Sequence, residues 1–351
     1  MTGLRADILK PGMKALYYSG VYRLLAPFAE GIGMIFMLHQ VSPKRHGGFS
    51  PNRGLMVTPE YLDAVLCDVK QAGLDIVSLE EARSRITSGD TSNRFACFTL
   101  DDGYKDNLEY AYPVFSKHKA PFTIYVPSDY PDGKGELWWV GLEEVIASAS
   151  EIKFKTGNDT ARLRCVTVEE KSTAFERIYN HYRKLDTDAQ QGLISGLCDA
   201  HGVDLDTLCR DLIMTWDEIR QLASDPLVTI GAHTVAHHAL AKLPEQRVRD
   251  EMKLGADRIE KELGAWPEHF SYPYGSPDSA GPREFSIARE LGFKTAVTTR
   301  KGVLFPEHGD HLTALPRVSL NGEHQSSVYT RLYMTGAPFA LWNRFRRVNA
   351  A

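Results

Sequence analysis

Short, almost wholly apolar runs alternate along this chain with longer stretches in which apolar residues recur every three or four positions. The runs include GMIFML (33–38), FACFTL (95–100), PFTIYV (121–126), PLVTIGAH (226–233), FKTAVTT (293–299) and ALPRVSL (314–320). Runs of this length bounded by turn residues predict strands buried on both faces. Between them, Thr58 and Pro59 read as an N-cap followed by proline at the first helical position, and Leu62, Val65, Leu66 and Val69 mark one helical face. Gly73 should end that helix, with LDIVSL following as a strand. Further helices are expected from about Asn107 to Lys117, from Pro244 to Leu263, and over EFSIARELG, with PEHFSYPYG a short strand and turn. Apolar strands alternating with amphipathic helices predict an α/β fold on a parallel sheet, open or closed into a barrel.

The rhythm breaks between residues 135 and 215. ELWWVGLEEVIASA and the stretch from VEEKSTAF to CRDLI read as helices without intervening strands, which predicts a helical insertion in the α/β body. The ends differ again. Ala15 to Leu38 is rich in apolar residues, but Arg23 and Glu30 interrupt it and no small-residue cleavage site follows. It reads as neither a secretory signal nor a bilayer span. Residues 321–351 form a basic amphipathic tail in which Phe339, Leu341, Trp342 and Phe345 mix with Arg344, Arg346 and Arg347. Both terminal segments are expected to pack on the body or to make peripheral membrane contact.

Composition narrows the function classes. A net charge of −4, with 43% hydrophobic and 25% charged residues, describes a globular protein without a nucleic-acid footprint. Cys67, Cys97, Cys165, Cys198 and Cys209 are an odd, scattered set lacking a CxxC pair, which disfavours a disulfide framework or a cysteine zinc site. A reducing compartment is expected, hence a cytoplasmic location, with the inner membrane face as the variant.

Two motifs carry chemistry. In FTLDDGY, Asp101 and Asp102 stand where a buried strand ends and a glycine permits a tight turn. Loops at strand ends converge on the crevice of an α/β fold. Adjacent residues on an extended chain point apart, so one carboxylate can bind a cation while the other stays free as a base; a turn with solvated aspartates is the plain alternative. In GAHTVAH, His233 and His237 are four apart, so both imidazoles can face one side of a helical turn, with His238 as a competing partner. Two imidazoles and one carboxylate make a common catalytic zinc set with an open position for water.

TLDDG resembles the first motif of the polysaccharide deacetylase family (the NodB-homology domain of carbohydrate esterase family 4), HTVAH its H-[ST]-x-x-H motif, and SYPYG its third, in the family's order. The resemblance spans roughly residues 33–128 and 215–320. It implies a distorted (β/α) barrel of seven strands and metal-dependent removal of acetyl groups from an N-acetylglucosamine-containing oligo- or polysaccharide. By it, Asp101 would be the general base, Asp102, His233 and His237 would hold a divalent metal, usually zinc, and the Tyr274 amide would face the oxyanion.

Two departures shape the expectation. The family's third motif often begins with an arginine that holds the base, but Ser271 stands here, and ALPRVSL offers Arg317 where a histidine-bearing last motif would fall. A subgroup acting on poly-N-acetylglucosamine has permuted motifs, with an apolar strand near the start ending in histidine. FMLHQVSP looks like that element, which makes His39 the expected general acid and Arg317 the expected tether of Asp101. Trp138, Trp139 and Trp216 are expected in the core rather than as sugar platforms. The competing functions are an allantoinase-like hydrolase of a small cyclic amide and a saccharide-binding protein with a lapsed site.

Overall fold

The computed structural model describes residues 3–43, 48–156 and 159–350. Seven parallel strands form the body: β1 (Gly33–Leu38), β2 (Phe95–Asp101), β3 (Phe122–Val126), β4 (Val228–Ala232), β5 (His269–Ser271), β6 (Thr295–Lys301) and β7 (Leu315–Ser319). Each pairs with its sequence neighbours, and β1 closes the circle by pairing with both β2 and β7. Gly33 to Leu38 register with Phe95 to Leu100, and Phe36 and Met37 with Val318 and Ser319. The result is the expected (β/α)7 barrel. All residues of β1, β2 and β3 are buried, because helices cover the outside while side chains fill the inside.

Local chemistry sets the helices. Thr58 Oγ1 accepts from the Tyr61 amide and Pro59 opens the helix Pro59–Gln71, which buries Leu62, Val65, Leu66 and Val69. The expected strand LDIVSL is cut to Asp75–Ile76, because Ser78 caps a helix that begins at Leu79. The helix from Asn107 starts as one widened π turn to Ala111 and continues as α-helix from Tyr112 to His118, with Pro113 supplying no amide at the junction.

Residues 135–215 carry a correction. Helices run from Trp138 to Ser148, Val168 to Tyr182, Thr187 to His201 and Leu205 to Leu212, but an antiparallel hairpin, Glu151–Thr156 with Asp159–Arg164, lies between the first two. EIKFKT alternates polar and apolar residues, and only Ile152 and Phe154 turn inward. They join Leu142, Ile146, Phe175 and Ile178 in a core separate from that of the barrel. Lys242 Nζ, donating to the carbonyls of Arg183 and Leu185, and Asn52, donating to Trp139 O and Glu143, tie this unit to the body.

The C-terminal stretch folds back as helices Ser327–Met334 and Ala337–Trp342, burying Tyr329, Leu332, Tyr333 and Phe339. Among the described residues no helix is long and apolar enough to cross a membrane.

Candidate active site

The two aspartates of TLDDG leave the end of β2 in different directions. Asp101 is its last residue, and Asp102 takes a left-handed backbone with φ 75° before Gly103 at φ 70°. Aspartate is one of the few side chains that tolerate this region. Both carboxylates are buried, at 3% and 2% exposure, so each needs partners.

Asp101 finds its partner on β7. Arg317 donates from Nη1 to Asp101 Oδ1 at 2.8 Å and from Nη2 to Oδ2 at 2.7 Å. It also donates from Nη1 to Thr99 Oγ1, from Nη2 to Ser271 Oγ and from Nε to Thr298 O. Every guanidinium N–H thus has an acceptor, which lets the arginine sit at 1% exposure. Ser271, the residue found in place of the family's arginine, helps to seat this one. Burial pushes the Asp101 carboxyl up, but the Arg317 charge and its paired hydrogen bonds outweigh burial and hold it well below the usual carboxylate range. His39, one residue beyond β1, places Nε2 4.0 Å from Asp101 Oδ2. Asn107 holds that loop by donating to His39 O at 2.8 Å.

Asp102 turns toward the histidines. Its Oδ1 lies 3.6 Å from His233 Nε2 and 3.4 Å from His237 Nε2. The HTVAH segment corrects the sequence expectation, for it is an irregular loop and no helical turn carries the pair. Thr234 and His237 are left-handed, at φ 69° and 61°, and Thr234 Oγ1 accepts from the His237 amide. That kink folds the two imidazoles together, 4.9 Å between ring centroids.

Glu251 and Gly255, which the sequence reading passed over, support the loop from the helix Glu245–Leu263. Glu251 Oε2 accepts from the Val235 and Ala236 amides at 3.1 Å each. At Gly255 a Cβ would lie 2.7 Å from the Thr234 carbonyl, so only glycine permits the approach. A carboxylate and a glycine on the buried stripe of Val248, Met252 and Ile259 were the available signal.

Asp102, His233 and His237 fit a divalent cation. The ligand atoms lie within 4.8 Å of one another, and Asp102 Oδ1 is buried without a hydrogen-bond partner among the described residues. His233 Nδ1 lies 2.6 Å from Ser271 O, which fixes that nitrogen as donor and leaves Nε2 with a lone pair. His237 sits against the rings of Trp139, Tyr274 and Tyr130, and burial pushes its pKa down to about 3, keeping the neutral form that a metal needs. Two other groups of potential ligands are answered by cations instead. Lys117 Nζ is 2.7 Å from Asp63 in the Asp63, Cys67, His118 group, and Lys294 Nζ 2.7 Å from Glu268 in the Glu80, Glu268, His269 group.

Tyr274 lies on the loop after β5 at φ 61°. Thr299 Oγ1 donates to its carbonyl, and a Cβ at Gly275 would meet the Thr299 amide at 2.5 Å, so the Tyr-Gly pair is clamped to β6. Its ring stands 5.0 Å from that of His237, and its hydroxyl accepts from Trp138 Nε1 at 2.8 Å. Trp138, Trp139 and Trp216 are all buried, and their indoles bond Tyr274, Tyr104 and Asp132. The first two wall the His237 side of the crevice rather than offering an open platform.

The family model described as polysaccharide deacetylase matches residues 88–296, more than half of the chain. No curated protein matches it. Among solved structures it shares a fold with the deacetylase PplD of Streptococcus pyogenes in complex with acetate, at 18% identity and TM-score 0.51, covering 86% of this chain and 97% of that one. IcaB from Ammonifex degensii is similar at 17% identity and TM-score 0.53, covering 87% and 97%. A de-N-acetylase from Aggregatibacter actinomycetemcomitans is similar at 13% identity and TM-score 0.54, covering 86% and 99%. The seven-stranded barrel, the DDG and HTVAH elements and the family match agree: this chain belongs to the polysaccharide deacetylase family and is a carbohydrate deacetylase.

Proposed function

We propose that the enzyme hydrolyses N-acetyl groups on an N-acetylglucosamine-containing saccharide, with Asp101 as general base and His39 as general acid. One observation carries this reading. The adjacent aspartates are divided between two tasks, Asp101 gripped by Arg317 and Asp102 turned by its left-handed backbone onto His233 and His237. A divalent ion held by Asp102, His233 and His237, with zinc the expected species, would polarise the acetyl carbonyl and acidify a water molecule.

The chain's own groups do the rest. Arg317 keeps Asp101 ionised and aimed, and a carboxylate held so low accepts a proton only from a water already made acidic. His39, beside Asp101 just beyond the end of the neighbouring strand β1, protonates the departing amine. The clamped Tyr274 loop offers its amide to the oxyanion, and the aromatic wall around His237 keeps bulk water from the crevice.

The test is acetate release from N-acetylglucosamine oligomers by the zinc-loaded enzyme. Asp101→Asn should lower the rate about 10²- to 10⁴-fold. His39→Ala should do so on amides and less on an O-acetyl ester, whose alcohol leaves with less need of a proton. Ring opening of allantoin without acetate release from the oligomers would overturn the assignment, and full activity in either variant would remove that residue's role.

A further inference from the structure

Of the eleven large apolar side chains exposed among the described residues, seven sit on the two terminal segments, so the apolar surface is concentrated in one place. The helix Val21–Ala29 presents Val21, Leu24 and Phe28 on one stripe, with Leu24 76% and Phe28 74% exposed. Spacing of three and four normally turns such a stripe toward the core; here it faces solvent. Leu341, Trp342 and Phe345 add to it from the end of the chain, at 48%, 50% and 60% exposure. The two segments are in contact: Phe28, Phe339 and Phe345 line one groove, and at Gly336 a Cβ would meet the Ala29 carbonyl at 1.8 Å.

Charge distinguishes what could cover this face. Residues 11–29 and 335–350 contain no Asp or Glu, but carry Lys14, Arg23, Arg344, Arg346 and Arg347 in a chain whose net charge is −4. Arg346 and Arg347 line the same groove as Phe28 and Phe345; Arg347 is paired with Glu307 at 2.9 Å, so Lys14, Arg23, Arg344 and Arg346 supply the excess charge. Apolar side chains flanked by cations on short helices match the boundary of a bilayer bearing anionic headgroups. A second copy would set these cations against their own kind. We infer that this face seats the enzyme on an anionic lipid surface as a peripheral, non-spanning contact. The helix Val21–Ala29 enters β1 at the amino-terminal mouth of the barrel, whereas Asp101 and Asp102 stand at the carboxyl-terminal mouth. The seated enzyme therefore keeps its crevice away from the lipid.

The experiment is co-sedimentation of the full chain with phosphatidylcholine vesicles, with and without phosphatidylglycerol, at low and high salt. Binding should be at least tenfold tighter with phosphatidylglycerol and should weaken with salt. Replacing Arg344 and Arg346 together by Gln should weaken it about 25-fold, at about fivefold per arginine. Leu24→Ser with Phe345→Ser should weaken it at least tenfold. These exposed positions leave circular dichroism and turnover of a soluble acetylated oligomer unchanged. Absent binding, equal binding to both vesicles, or binding insensitive to both sets of substitutions overturns the inference. So does light scattering that shows a lipid-free dimer split by Leu24→Ser with Phe345→Ser, for then a second copy covers the face.

Discussion

The carboxyl-terminal mouth of the barrel and the unit spanning residues 135–215 are neighbours built on opposite terms. The mouth buries Asp101, Asp102, His233, His237 and Arg317 together. It also holds Asp102, Thr234, His237 and Tyr274, four of the seven non-glycine residues with positive φ among the described residues. The insertion has no such residue and no buried Asp, Glu, Lys, Arg or His among those described. Three of its four helices start on ordinary caps, Thr167 in a capping box, Asp186 and Asp204, the helix from Trp138 starts without a side-chain cap, and all close on aliphatic and aromatic side chains. Strain and buried charge are unfavourable for folding and collect where chemistry needs them, while the wall beside them is assembled from conventional packing.

The largest expected effect on stability comes from the mouth. Arg317→Met leaves the Asp101 carboxylate buried and unpaired, and should cost about 3–5 kcal/mol in denaturant unfolding. A loss below 1 kcal/mol would show that water, not Arg317, satisfies that carboxylate. In the insertion, Ile178→Ala opens a cavity at a fully buried site and should cost about 2–4 kcal/mol. Zinc affinity should stay within a factor of two; a large change would mean that the two regions are mechanically coupled.

The next effect is set by pH. At the start of β5, burial pushes His269 down to about 4, with Glu80, Glu268, Lys294 and Arg83 around it. The folded state therefore holds its neutral form, and that stability is present above the unfolded value of about 6.5 and lost as pH falls toward 4. His269→Gln should flatten the acid limb of the stability curve by about 2 kcal/mol between pH 7 and 4. An unchanged limb would assign acid sensitivity to other groups. The smallest expected stability change is the most informative. Asp102→Asn keeps a residue tolerant of positive φ and removes a buried charge with an unpartnered Oδ1, so metal-free stability should move by less than about 1 kcal/mol. Metal affinity, followed by calorimetry, should fall by about 10²-fold. Strong destabilisation would show that Asp102 is structural in its own right.

Legibility in the sequence followed the range of the interaction. Six of the seven strands were readable because burial on both faces leaves an apolar run, β5 only as the short strand within PEHFSYPYG, and DDG and HTVAH because their residues are close in sequence. The hairpin in the insertion was missed although EIKFKT alternates, since charged residues on its open face masked the period. Ser78 shortened LDIVSL through a cap that competes with strand pairing. The helical turn expected for His233 and His237 gave way to a loop because its geometry is imposed from outside, by Glu251 and the space at Gly255. Sequence spacing identifies which side chains can meet, and only the packed structure supplies what bends the backbone between them.

Asp101 and Arg317 are 216 positions apart, and they meet across β1, which lies between the second strand and the last. During synthesis the aspartate emerges long before its counter-ion, with the whole insertion still to be made. Until β7 slots against β1, the carboxylate has no cation and must stay hydrated or protonated, so the preceding strands cannot settle into a fully dry interior. Closure of the ring and the pairing of Asp101 with Arg317 are therefore one event, and an unfinished chain leaves this carboxylate as loose as its barrel.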